Sequence, residues 1–280
     1  LPVENEYIKL GTESSDYCTR AFDDSSDGAG TGEGIVALLL KPLKAAERDG
    51  DNIYAVIKGS AVNQDGSSIG ITAPNPASQE DVIVRAWKES GTEPETLSYI
   101  EAHGTGTKLG DPIEVEGIQR AFTRFTDKKQ FCALVSTKTN IGHLNECAGI
   151  MGLMKAVLAL KHRVIPPSVH FEKPNKKIDF EQSPVYINTR ARQWEATALP
   201  RRCGVSSFGL SGTNCHLVLE EYNSIQANTD EIKESADFYI LPISAVNKST
   251  LQEFVKSYLE FIQRENNLDL EDICYSAATG

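Results

Sequence analysis

The chain contains 280 residues, of which 40% are hydrophobic and 24% are charged, and its formal net charge at pH 7 is −11. This composition supports a sizeable core and excludes a disordered tail, while the acidic balance argues against sequence-independent nucleic-acid binding, which depends on basic surface. No apolar run approaches the ~18 residues of a membrane-spanning helix and no signal peptide opens the chain, so we expect a cytoplasmic protein without membrane contact.

The predicted elements alternate between strands and helices. Residues 1–34 are rich in Ser, Asp and Gly, which is typical of a loop. Apolar runs and helical spacing then predict, in chain order, a strand at 34–40, a short helix that ends near 49–51, a strand at 54–62, a helix at 76–89, a strand at 97–100, a helix at 112–122, a strand at 131–135 and a helix at 146–160. Such alternation predicts a layered α/β fold.

The pattern changes twice after this region. For residues 161–200, the prolines at positions 166, 167, 174 and 184 predict an extended excursion over the surface, and residues 202–221 predict a closing hairpin with its turn at 209–212. Residues 223–235 have the polar composition of a linker. A strand at 239–244 and an amphipathic helix at 249–265 then predict a second, small unit.

Two histidines follow predicted strands in glycine-rich turns. His103 lies in Glu-Ala-His-Gly-Thr-Gly-Thr, and His143 ends Thr-Lys-Thr-Asn-Ile-Gly-His. The carboxyl ends of strands are where open α/β sheets place their chemistry. A single histidine in a turn is as often structural as functional. Two on one sheet edge, with Lys138 five residues before the second, predict a functional site.

Longer blocks around these histidines carry a resemblance to a known family. The chain reads EAHGTGTKLGDPIEVEGI at 101–118, VSTKTNIGHLNECAGIMGL at 135–153 and SSFGLSGTNCHLVLEE at 206–221. These resemble the signature blocks in the C-terminal half of β-ketoacyl synthases, in particular the ketosynthase domains of modular type I polyketide synthases. Shorter matches begin with RAFDDSSDGAGTGEG at 20–34, and the collinear order makes the resemblance far more specific than one glycine-rich loop.

The resemblance implies a thiolase-like α/β fold. We expect residues 1–50 to end the N-terminal half of the ketosynthase, residues 51–221 to form its layered α-β-α C-terminal half, and residues 222–280 to contain a linker and the start of a small α+β subdomain. The family's nucleophilic cysteine lies in an upstream TACSSS-like elbow, and no such string occurs here. The six cysteines present are scattered without a CxxC pair, which favours reduced thiols over a disulfide framework or a metal site.

The implied reaction is a decarboxylative Claisen condensation between an enzyme-bound acyl group and a malonyl group on an acyl carrier protein. By resemblance, His103 and His143 donate hydrogen bonds to the developing enolate, and Lys138 orders the site electrostatically. A buried ammonium needs a partner. In some relatives this is a glutamate nine residues after the second histidine, but that position is Gly152 here, so we expect Glu114 as the partner. We expect a fragment that is inactive alone.

The resemblance also implies substrate contacts. Thr105 and Thr107 would bind the phosphopantetheine arm of the carrier, or they stabilise the glycine turn through side-chain to backbone bonds. Phe208 opens the final turn, where a backbone N–H joins the oxyanion hole, and Leu210 stands where many relatives have Phe at the gate of the acyl pocket. No cofactor is expected to bind directly, since the arm arrives on the carrier.

The implied partners are the carrier protein, the missing N-terminal half and a second subunit in the full enzyme. Because the chain is acidic, the carrier would need a local basic patch such as Arg190, Arg192, Arg201 and Arg202, which is equally well explained as a solvated surface.

Two alternatives remain at this stage. A non-catalytic scaffold or chain-length partner would have no need of His103, Lys138 and His143. A thiolase that uses coenzyme A would place a second cysteine near the final glycine turn, where Cys215 is close but follows Gly-Thr-Asn.

Overall fold

The computed structural model describes residues 12–66, 74–195, 198–223, 238–264 and 269–279. The chain divides into two compact units, Leu1–Asn223 and Ser224–Gly280. In the described part of the chain, no helix has both the length and the apolar character needed to cross a membrane. All six cysteines are free thiols.

The first unit alternates strands and helices as the sequence predicts. Its elements are α1 (Leu43–Arg48), β1 (Val56–Gln64), α2 (Pro76–Ser90), β2 (Leu97–Glu101), α3 (Gly110–Thr123), β3 (Cys132–Val135), α4 (Lys138–Ile141), α5 (Ala148–His162), β4 (Val164–Ile165), β5 (Val185–Ile187), β6 (Arg192–Gln193), β7 (Arg202–Phe208) and β8 (Thr213–Glu220). Local signals fix several boundaries. The Asn75 side chain accepts a hydrogen bond from the Ala77 N–H at the start of α2, and Gly91 ends that helix in the left-handed conformation.

A six-stranded sheet organises this unit, in the order β1-β8-β7-β2-β3-β5. Strands β7, β2, β3 and β5 are parallel, whereas β8 pairs antiparallel with both β7 and β1. Because β2 and β3 are parallel neighbours with Glu101 opposite Val135, their carboxyl ends meet at one edge of the sheet. The loops that carry the two histidines therefore start side by side.

Both faces of the sheet are covered by helices, which gives the predicted α-β-α layers. Ile100 and Leu134 pack in the cluster that contains residues of α2 and α3. Tyr99 and Ala133, one position earlier in each strand, pack in the cluster that contains residues of α5. Successive side chains of a strand point to opposite faces, so both strands contribute apolar side chains to both layers of helices.

The strand predicted at 34–40 is wrong. This segment forms no ladder with any described strand, and the side chains of Ile35 and Leu39 are each 97% exposed. An apolar run becomes a strand only where another backbone satisfies its N–H and C=O groups.

The second unit contains two helices in its described residues, α6 (Lys248–Arg264) and α7 (Leu270–Thr279). The Asn247 side chain accepts from the Thr250 N–H at 2.9 Å and so caps the start of α6, close to the predicted boundary. The predicted strand at 239–244 is wrong, since these residues have no sheet partner in the described ranges. The predicted linker at 223–235 lies, after residue 223, outside the described residues.

Candidate active site

The two histidines predicted from the sequence lie together at the carboxyl edge of the sheet. Their ring centroids are 6.0 Å apart and the ring planes are nearly perpendicular. His103 lies two residues after the end of β2, and the His143 loop is held by segment 30–32. The His143 N–H donates to the Gly30 carbonyl at 2.6 Å, and the Gly32 N–H donates to the His143 carbonyl at 3.0 Å.

Gly142 makes this close approach possible. Its φ is 79°, and a Cβ at this position would lie 2.8 Å from the backbone of Thr31. Any side chain would therefore push apart the two segments that position His143.

Backbone hydrogen bonds select the tautomer of each imidazole. The Phe208 N–H donates to His103 Nδ1 at 3.3 Å, and the Asn145 N–H donates to His143 Nδ1 at 2.9 Å. A nitrogen that accepts in a neutral imidazole leaves the proton on the other nitrogen. Both rings therefore carry their proton on Nε2.

Burial and a neighbouring cation keep both rings neutral. Burial lowers the pKa of His103 well below its usual value, and the positive charge of Lys138 lowers it further. The same two causes, in the same order, lower the pKa of His143 to about 4. At neutral pH the site thus presents two neutral N–H donors rather than imidazolium cations.

Lys138 begins α4 and its side chain is buried. The Nζ atom donates to the His103 carbonyl oxygen at 2.6 Å. Burial lowers the pKa of Lys138 to about 8, and the carboxylates of Glu114 and Glu101 oppose this lowering. The ammonium therefore lies directly behind the loop that carries His103.

Glu114 does not contact Lys138 as the sequence led us to expect. Its two carboxylate oxygens accept from the N–H groups of His103 and Gly104, each at 2.7 Å. None of the ion pairs among the described residues joins it to Lys138. Since both oxygens are used by the backbone, Glu114 influences Lys138 at longer range and shapes the His103 loop directly.

Like Glu114, Asp111 accepts hydrogen bonds from backbone N–H groups near His103, a role that the sequence analysis did not identify. This buried carboxylate accepts from the Phe22 N–H at 2.5 Å and from the Gly106 N–H at 3.0 Å, so it ties the glycine turn to the loop near residue 22. Burial raises the pKa of Asp111 and of Glu114 to about 7 each. Its position after the glycine turn, one residue before a proline, was the available signal.

Thr105 and Thr107 lie in the glycine turn that follows His103, and both residues are half-buried. Thr105 Oγ1 and Thr107 Oγ1 are 3.1 Å apart, and Thr107 Oγ1 accepts from the Gly110 N–H at 3.1 Å. Thr107 therefore stabilises the start of α3, as one of the two sequence interpretations anticipated.

The final turn approaches the same histidine. The Phe208 ring centroid is 5.8 Å from that of His103, while Leu210 is exposed at the tip of the turn. Asp65 braces the turn from the neighbouring strand: its N–H donates to the Gly212 carbonyl at 2.8 Å, and its carboxylate accepts from the Asn214 side chain at 2.7 Å.

Comparison with known proteins agrees with this geometry. The family model "Beta-ketoacyl synthase, C-terminal domain" matches residues 54–172, and the model "Ketoacyl-synthetase C-terminal extension" matches residues 174–280. The chain belongs to the β-ketoacyl synthase family.

Its relatives are parts of modular synthases. The chain is 45% identical over 271 residues to polyketide synthase PksM of Bacillus subtilis, covering 94% of this chain and 6% of PksM. It is 44% identical to a solved ketosynthase from module 6 of the bacillaene synthase of the same species, with a TM-score of 0.83, covering 95% of this chain and 46% of that chain. Ketosynthase twelve of the Bacillus amyloliquefaciens bacillaene synthase gives a TM-score of 0.85 at 40% identity, covering 97% of this chain and 47% of that one. The thiolase-like fold class is confirmed, and the chain spans about half the length of solved ketosynthase chains.

Two arginines of the predicted docking patch are already engaged within this ketosynthase segment. Arg201 is buried and pairs with Glu221 at 2.6 Å, and Arg202 pairs with Glu220 at 2.6 Å. The patch is therefore wrong for these two residues, because their charges are neutralised at the ends of β7 and β8. Arg190 and Arg192 are exposed.

Proposed function

We propose that this chain supplies the decarboxylation side of a ketosynthase active site. In the reaction, a malonyl thioester on an acyl carrier protein loses carbon dioxide and leaves an enolate. The enolate carbon attacks an acyl group held as a thioester on an enzyme cysteine, the bond to that sulfur breaks, and a β-ketoacyl thioester remains on the carrier. The cysteine would come from residues of the synthase outside this chain, so the chain alone should be inactive.

The observation that carries the proposal is the pair of imidazoles whose Nδ1 atoms both accept from backbone N–H groups. This arrangement leaves the Nε2–H groups of His103 and His143 as fixed donors for the thioester oxygen, where negative charge develops. Preorganised donors of this kind contribute about 3 to 4 kcal/mol each in a dry site. The buried Lys138 adds positive potential behind them without competing for the oxygen, because its Nζ is bonded to the His103 carbonyl.

The same geometry argues against a purely structural scaffold. A scaffold gains nothing from a buried ammonium and two neutral imidazoles, each of which costs stability by desolvation.

We also propose partners for the surfaces around the site. The exposed apolar side chains of Ile35, Leu39, Ile150 and Leu158 support packing against the N-terminal half of the ketosynthase. The half-buried hydroxyl of Thr105 supports contact with the phosphopantetheine arm. We also propose a homodimer and a cytoplasmic location. The six free thiols support this location, because thiols stay reduced in the cytosol.

The test uses the complete ketosynthase and measures carbon dioxide release from a malonyl carrier together with condensation. His143→Ala should lower both by roughly 100-fold, the scale for loss of one oxyanion donor. His162→Ala is the matched control, because His162 is an exposed histidine at the end of α5, and it should change neither. A loss of less than a few-fold in His143→Ala would remove the imidazole from the reaction.

A further inference from the structure

Glu101 is a buried carboxylate at the end of β2, two residues before His103. The residue is 1% exposed. One oxygen accepts from the Thr137 N–H and from the Thr137 hydroxyl, the latter at 2.7 Å. The other accepts from the Tyr99 hydroxyl at 2.5 Å and lies 3.3 Å from Lys155 Nζ. Three hydrogen-bond donors and one ammonium, from three parts of the chain, therefore converge on one charge.

These donors belong to the elements that assemble the site. Thr137 is the residue immediately before α4, whose first residue is Lys138, and Lys155 lies on α5. By holding Thr137, the Glu101 carboxylate fixes where α4 starts. The start of α4 in turn determines whether Lys138 Nζ reaches the His103 carbonyl.

Helix α5 leaves room for this carboxylate at one position. A Cβ on Gly152 would lie 3.2 Å from Glu101 Cγ, which is tighter than an ordinary van der Waals contact. Gly152 is buried, so the space that its missing side chain leaves is filled by the Glu101 side chain.

The charges that act on Lys138 come from several elements. Carboxylates from α3 and β2 favour its ammonium form, and the ammonium of α5 disfavours it; these groups are Glu114, Asp111, Glu101 and Lys155. The two neutral imidazoles, His103 and His143, face it from the loops. Of the four charged groups, Glu101 is the one that also holds the backbone next to Lys138.

We propose that Glu101 is a positioning residue, whose carboxylate holds the start of α4 and whose negative charge favours the ammonium form of Lys138 behind His103. The catalytic consequence of this role rests on the proposed function. The coupling between Glu101 and Lys138 does not depend on that function.

The catalytic test compares two substitutions in the complete ketosynthase by the pH profile of kcat/KM for malonyl carrier decarboxylation. Glu101→Gln keeps a carbonyl oxygen for Thr137 but removes the charge, so the alkaline limb should move to lower pH by about one unit. Glu101→Asp keeps the charge but shortens the side chain, so kcat should fall while the limb stays in place. A uniform loss over the whole pH range in Glu101→Gln would overturn the electrostatic role.

The second test needs no activity. Thermal unfolding of the complete ketosynthase is followed for Glu101→Gln, Lys138→Met and the double variant. If the two charges interact, the double variant should lose less in Tm than the sum of the single losses. Additive losses would overturn the proposed coupling even if condensation is observed. A non-additive result in a protein without condensation would instead reject the proposed function and keep the coupling.

Discussion

The side-chain Nζ of Lys138 donates to the main-chain carbonyl oxygen of His103 at 2.6 Å. This bond places a buried ammonium behind the imidazole that precedes the glycine turn. Its field disfavours a second positive charge nearby, which is one reason why both imidazoles remain neutral. Lys138 thus adds to the effect of burial in keeping both imidazoles neutral.

The first prediction concerns this field. Lys138→Met should raise the pKa of His143 from about 4 toward its usual value, although burial, the larger cause of the lowering, remains. Histidine NMR resonances followed as a function of pH in the complete ketosynthase would measure the change. An unchanged His143 titration in Lys138→Met would contradict the electrostatic role of Lys138.

A second prediction concerns stability at acid pH. His216 on β8 is fully buried, its Nδ1 lies 2.9 Å from Ser206 Oγ, and Gly204 backs onto its ring. Burial lowers its pKa to about 3. Because the unfolded chain binds this proton below about pH 6.5 and the folded chain does not, the stability that neutral His216 contributes is present above that pH and is lost as pH falls toward 3.

His216→Gln removes this titrating group, so the free energy of unfolding of the variant should fall less steeply as the pH is lowered. Between pH 6.5 and 4 the wild type should lose up to about 3 kcal/mol more than the variant. Denaturant unfolding at several pH values measures both slopes. Parallel slopes would show that protonated His216 is accommodated in the fold.

The sequence predicted those parts of the site that depend on residues close together along the chain. The two parallel strands before His103 and His143 are recognisable as short apolar runs, and parallel neighbours bring their carboxyl ends together. The strand predicted at 34–40 failed because pairing depends on a distant segment of chain.

The hydrogen-bond and ion-pair partners of the side chains could not be predicted from the sequence for a similar reason. Glu114 and Glu101 are both acidic residues near His103, and nothing in the residue order says that Glu114 bonds backbone N–H groups while Glu101 lies beneath Gly152. Arg201 and Arg202 are adjacent charges that looked available for a partner. The antiparallel register of β7 and β8 places Glu220 and Glu221 beside them.

A third prediction concerns the brace of the final turn. Asp65→Ala removes the carboxylate that accepts from the Asn214 side chain but keeps the backbone N–H that donates to Gly212, so it should loosen the turn that carries Leu210. We expect the ratio of kcat/KM between short and long acyl substrates to change by roughly 3- to 10-fold, the effect of about 1 kcal/mol per lost hydrogen bond. Asp81→Ala on the exposed side of α2 is the control. Equal losses for every acyl chain would mean that the brace supports stability alone.

The last prediction separates substrate positioning from support of the turn. Thr105 and Thr107 are half-buried beside His103, and the Thr107 hydroxyl already accepts from the Gly110 N–H. If the hydroxyls also bind the pantetheine arm, then Thr105→Val with Thr107→Val in the complete ketosynthase should weaken use of a carrier-bound malonyl thioester more than use of a truncated thioester that lacks the arm's amides. Each lost bond should cost about 0.5 to 1.5 kcal/mol.

The ratio of kcat/KM for the two thioesters is the informative quantity, because it reports transition-state binding from the free enzyme. Thr105→Val alone should account for most of the change in this ratio, since its hydroxyl has only the Thr107 hydroxyl as a partner among the described contacts. Thr107→Val alone should lower kcat/KM for both substrates to a similar degree, because it removes a bond at the start of α3. Equal losses for both substrates in both single variants would assign the two threonines to the turn and withdraw them from the arm.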